Sequence, residues 1–70
     1  MLNAGKLKGK LVEKGITVSE MSSKLGIAPS TFYRKIKNNS FEIGEADKIV
    51  HALLLSAQEA TDIFFSQFVA

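Results

Sequence analysis

Residues 15–37 read GITVSEMSSKLGIAPSTFYRKIK, and the fold is decided there. Thr17-Val18-Ser19-Glu20 has the form of a capping box, in which the Thr17 hydroxyl accepts from the Glu20 amide and the Glu20 carboxylate reaches back. Ile16 before the cap and Met21 in the first turn have the placement of a hydrophobic staple. The helix so begun is predicted to run to Leu25 and break at Gly26. Ile27 then turns inward, and Pro29 opens a further helix at its first position, where a missing N–H costs nothing. On that second helix Phe32 and Ile36 stand one turn apart as its inner pair. Tyr33, Arg34, Lys35 and Lys37 are left for other faces. Ser22 supplies a small side chain where two steeply crossing helices come close.

Outward from this stretch the chain reads as three more helices with tight connections. The first is predicted from about Asn3 to Lys14, with Leu7, Leu11 and Ala4 inward and Gly15 as its left-handed stop. After an Asn38-Asn39-Ser40 loop, Phe41 and Ile43 are expected to anchor into the core. A fourth helix, about Gly44 to Leu53, shows Ala46, Ile49, Val50 and Leu53 at helical spacing. Ser56-Ala57-Gln58-Glu59 is a second capping box and starts a fifth helix, whose inner stripe is read as Ala57, Ala60, Phe64 and Phe68. The fold class is therefore all-α, five helices forming a single domain over residues 1–70.

Composition narrows the function. With 46% hydrophobic and 23% charged residues the chain is globular rather than disordered. At this length only about 60% of the unfolded surface is buried, so stability is modest. The absence of cysteine removes disulfides, thiol catalysis and cysteine-bound zinc. A single histidine, His51, is too little for a metal site and reads as an exposed helix residue. No acid pair, Gly-rich phosphate loop or nucleophile–base set is present, and Ser22 and Ser23 have no base beside them. The reading is of a non-enzyme without cofactor or metal. The start, with lysines at 6, 8, 10 and 14, lacks a signal-peptide apolar run, and no stretch approaches the ~18 apolar residues of a membrane span. A cytoplasmic protein with no membrane contact is the expectation.

Net charge is only +2, but it is unevenly placed. Residues 1–41 carry eight basic side chains against Glu13 and Glu20, and residues 42–70 carry Lys48 against five acidic ones. The basic part is thus oriented toward a polyanion. Lys6, Lys8 and Lys10 are read as a solvated face rather than as part of a binding site.

Two helices joined by a short Gly-centred turn, the second of them basic, form the pattern of a DNA-binding helix-turn-helix, here about residues 17–37. The run from Gly15 to Lys37 resembles the helix-turn-helix of the phage repressor and Cro family, the lambda repressor-like DNA-binding domains. Phe41-x-Ile43 and Leu53-x-Leu55-Ser56 are similar to that family's fourth and fifth helices, so the likeness covers nearly the whole chain. Ser30-Thr31-Phe32-Tyr33-Arg34-Lys35 in particular resembles small phage-type regulators of Gram-positive bacteria.

The resemblance implies a transcriptional regulator that binds operator DNA as a homodimer, with residues from about 29 to 37 entering the major groove. Ala28, Pro29, Ser30 and Thr31 would face the groove, and Tyr33, Arg34 and Lys37 would reach bases or flanking phosphates. The alternative for Tyr33 is packing beside Phe32 and Phe41. Thr17, Val18 and Ser19 would clamp a phosphate at the start of the first helix of the pair. Val18 stands where relatives often have Gln, and Ala28 and Pro29 carry no side-chain donors. Direct readout would therefore rest on Ser30, Tyr33 and Arg34. Leu54 stands where the family often has Gly or a polar turn residue, and Phe65 and Val69 fall off the inner stripe of the fifth helix. Leu54, Phe65 and Val69 are thus read as an apolar protein interface. A second reading follows from that patch: a modulator or antirepressor that pairs with a cognate repressor protein.

Overall fold

The computed structural model describes residues 2–65. Five helices and no strand occur among them: α1 (Ala4–Lys14), α2 (Val18–Leu25), α3 (Pro29–Asn38), α4 (Ile43–Ala52) and α5 (Ala57–Phe64). Their starts follow local chemistry. The Asn3 side chain caps α1 by accepting from the Lys6 amide, and Thr17 and Ser56 cap α2 and α5 as reciprocal boxes with Glu20 and Glu59. Pro29 begins α3 at its first position, after Ala28, which makes no side-chain cap bond.

Four helix ends share one geometry. A residue with positive φ follows the helix, and the amide after it bonds to a carbonyl five residues back. Gly15 (φ 68°) and Gly26 (φ 73°) are two of these residues, with Ile16 N–H donating to the Leu11 carbonyl and Ile27 N–H to that of Ser22. Asn39 and Leu54, both at φ 52°, are the other two, with Ser40 N–H donating to Lys35 and Leu55 N–H to Val50. Ile16, Ile27 and Leu55 each fold from such a turn against the core. The helices are therefore stopped and redirected by the same motif, with an apolar residue usually closing it.

The core is Leu2, Leu7, Leu11, Met21, Leu25, Phe32, Ile36, Ile49, Leu53 and Ile63. α2 packs on α3 and α4, and α1 packs on α5. Ser22 is fully buried, and its hydroxyl donates to the Val18 carbonyl at 2.7 Å, so it brings no unsatisfied polar atom into the crossing. Phe41 packs edge-on against Phe32 (ring centroids 5.3 Å apart) and against Phe64 (6.5 Å).

Three expectations change. Ile43 is not an anchor: it is 90% exposed at the first position of α4, while Phe41 alone turns inward. The inner residue of α5 is Ile63, with Ala60 and Phe64 half-buried beside it and Ala57 exposed. Phe68, read as part of that stripe, lies outside the described residues. The cause of the turn in α5 is its partner helix. Lys10 on α1 holds Glu59, Lys6 approaches Asp62 at 3.7 Å, and Asn3 N–H donates to the Ile63 carbonyl at 2.7 Å. These contacts join α5 to α1 on the side where Ile63 enters the core. Lys10, half-buried and paired with Glu13 and Glu59, is consequently not a free solvated residue, whereas Lys6 stays exposed as expected. The Lys10 ammonium, with help from the Ser56 amide, holds the Glu59 carboxyl down at about 2, and Lys10 itself is raised by Glu59 and Glu13.

Leu2 is held from a distant point of the chain. Its N–H donates to the Asn39 side-chain oxygen at 3.0 Å, so the residue that ends α3 also pins the segment before α1. No helix among the described residues is long and apolar enough to cross a membrane.

Candidate nucleic-acid interface

α3 is aligned by what it buries. Phe32 and Ile36 face the core, fully and almost fully covered. At about 100° per residue, Ser30, Tyr33, Arg34 and Lys37 follow one another along the opposite side, at the i, i+3, i+4, i+7 spacing of a single stripe. All four are exposed, Tyr33 at 53%. Tyr33 does not join the aromatic cluster, because Phe41 stacks on Phe32 and Phe64 instead. Thr31, beside the stripe, is half-buried.

The basic residues of α3 divide into two kinds. Lys35 lies against Glu45 of α4 at 2.9 Å, with both side chains largely covered, and so fastens α3 to α4. Burial pushes the Glu45 carboxyl up, but the Glu42 amide and the Lys35 ammonium outweigh it and leave it below the usual range. Arg34 and Lys37 have no carboxylate within ion-pair distance among the described residues. Their charge is uncompensated and turned outward.

α2 offers a different chemistry. Thr17 and Ser19 are exposed at its start. The Thr17 hydroxyl accepts from the Glu20 amide at 3.0 Å. The Thr17 backbone N–H is spent on the Glu20 carboxylate at 3.0 Å, and that bond, followed by the hydroxyl, lowers the Glu20 carboxyl. The amides of Val18 and Ser19 belong to the first turn, where no intrahelical acceptor exists. Ala28 precedes α3 with extended backbone and no cap bond, and neither it nor Pro29 contributes a donor.

The remaining site residues are placed as follows. Leu54 is 79% exposed and Phe65 54% exposed, at the α4–α5 turn and just after α5. Val69 lies outside the described residues. His51 is exposed on α4, its Nδ1 2.8 Å from the Asp47 carbonyl, and no cluster of potential metal ligands occurs among the described residues. Lys8, exposed as expected, lines the same cleft as Tyr33 and Lys37. Its offset of two residues from Lys6 and Lys10 turns it to the far side of α1.

A family model described as a Cro/C1-type HTH DNA-binding domain matches residues 6–62. No curated protein and no solved structure matches the chain significantly.

Proposed function

The chain belongs to the Cro/C1-type helix-turn-helix DNA-binding domain family, and from this we propose a transcriptional regulator, acting as one domain, that recognises a specific duplex sequence through Ser30, Tyr33, Arg34 and Lys37. The observation that carries the reading is the exposed stripe on α3, polar and basic, with no carboxylate paired to its cations among the described residues. In this docking α3 lies in the major groove with its N-terminal end toward the bases. Arg34 presents a planar fork suited to the O6 and N7 edge of guanine, and Ser30 adds a short donor and acceptor. Tyr33 and Lys37, one turn apart, reach a base edge or the flanking backbone. Thr17 and Ser19 meet a phosphate at the start of α2, beside the first-turn amides of Val18 and Ser19. Thr31, half-buried, supports the edge of the stripe.

A homodimer fits the exposed Leu54 and Phe65, with Val69 as a further candidate. Two copies would place their α3 helices about one helical turn, ~34 Å, apart on a pseudopalindrome. The test begins with selection of bound sequences from a random duplex library. Arg34→Ala is then expected to weaken binding to the selected site by about 5- to 150-fold, the equivalent of ~1–3 kcal/mol, while its thermal melt stays that of the parent. Parental affinity in that variant removes Arg34 from the reading head.

The second reading is a modulator that pairs with a repressor protein. It draws on the exposed apolar Leu54 and on the donor-free Ala28-Pro29 start of α3. A stoichiometric complex with a repressor, together with no salt-sensitive DNA binding by the purified chain, selects it over the first.

A further inference from the structure

The four lysines of α1 do not act alike. Lys6 and Lys10 are one turn apart and both meet carboxylates, Asp62 and Glu59 of α5. Lys8 is rotated about 200° from Lys6 around the helix, to the side away from α5. Among the described residues no carboxylate lies within ion-pair distance of it.

Two clefts meet at Lys8. One, of about 470 Å³, runs between α1 and the far end of α3, where Tyr33, Lys37 and Asn38 line it. The other, of about 390 Å³, runs along α1 to Thr17 and Val18 at the start of α2. No carboxylate lines either one. The cleft on the opposite side of α1 is lined by Glu13, Glu59 and Asp62, which compensate the lysines there. α1 thus separates a neutralised side from a trough whose only charged lining residues are Lys8 and Lys37, set among apolar and polar ones. The trough joins the start of α2 to the outer stripe of α3, with Lys8 midway.

We propose that this trough seats the sugar–phosphate backbone of duplex DNA and that Lys8 is a phosphate contact on α1. The inference rests on the DNA-binding reading above and extends it to a third helix. One end, at Thr17, is the place that reading assigns to phosphate, and the other, at Lys37, reaches the flanking backbone beside the groove; the two clefts share Lys8, which a strand passing from one end to the other would meet. A flexible ammonium binds phosphate as a point charge without reading bases. Lys8 therefore adds affinity and salt dependence equally for all sequences.

The experiment measures equilibrium binding of the full chain to its selected duplex and to a scrambled duplex from 50 to 200 mM salt. Lys8→Gln is expected to make the slope of log K against log salt shallower by about 0.9. The parent's advantage over that variant then shrinks about 3.5-fold across this salt range, by the same factor on both duplexes. Lys8→Arg retains the parental slope. Lys6→Gln, which alters the other side of α1, retains it as well, and circular dichroism melts show whether each variant is folded. A parental slope in folded Lys8→Gln overturns the proposal, as does a loss confined to the selected duplex. If that happens while Arg34→Ala still loses the selected site, only the trough is wrong. If the unaltered chain binds neither duplex, both readings fall together.

Discussion

Leu54 offers the sharpest test of the backbone argument, because substituting it by glycine should be better than substituting it by alanine. Its φ of 52° is left-handed, and its side chain is mostly in water. Holding an L-residue there costs about 1–2 kcal/mol. Glycine removes that cost but adds about 0.4–1 kcal/mol of unfolded-chain entropy relative to alanine. Both variants forfeit the same small buried area of the leucine. At the middle of these ranges the difference favours Leu54→Gly over Leu54→Ala by about 0.8 kcal/mol. At a regular helix position the order is reversed by about the same amount. Urea denaturation followed by circular dichroism, at a concentration where the chain is monomeric, reads the difference from the midpoints. Asn39 is the internal control. It has the same φ, yet its side chain accepts from Leu2 N–H, so Asn39→Gly should cost about 1 kcal/mol. An alanine variant at position 54 as stable as the glycine variant refutes the reasoning. If the leucine is kept for pairing, sedimentation equilibrium should show both variants associating more weakly than the parent.

Two further outcomes follow from the core and the ion pairs. Phe32→Ala removes a fully buried ring that packs edge-on against Phe41, at a cost of about 3–5 kcal/mol. A chain of this size has only about 3.5–10 kcal/mol in total, so the variant should be largely unfolded at 37 °C, and a near-parental thermal melt contradicts the packing. The Glu59 carboxyl sits at about 2 in the folded chain against an ordinary 4.5, so its stabilisation is complete above 4.5 and is lost as pH falls through about 2. The gap in Tm between the parent and Glu59→Gln should be widest near pH 6 and close by pH 2. A gap indifferent to pH would mean that Lys10 does not hold that carboxylate.

Much of the candidate site was legible because its signals are short. The Thr17 box, the Gly26 stop, Pro29 at the head of α3 and the inward pair Phe32 and Ile36 all rest on neighbours within four residues. Together they orient the helix so that Ser30, Tyr33, Arg34 and Lys37 are left outside. The charges on α1 and α3 were harder to assign. Lys35 looks like its neighbours in sequence, yet Glu45 of α4 claims it, and Lys8 differs from Lys6 only by a rotation whose meaning depends on where α5 lies.

By itself, then, the sequence determined the five helices, the Thr17 and Ser56 caps, most of the stops and the helix-turn-helix, since each depends on hydrogen bonds and torsions of adjacent residues. Tertiary structure decided which way the ambiguous faces turned. Ile63 displaced the expected Ala57 stripe because it is the residue that α5 buries where it packs on α1, with Lys10, Lys6 and the Asn3 amide beside it. Ile43 was left in water because Phe41 filled the place between Phe32 and Phe64. A helix carrying apolar residues on more than one side has no preferred inner face until a partner packs against it.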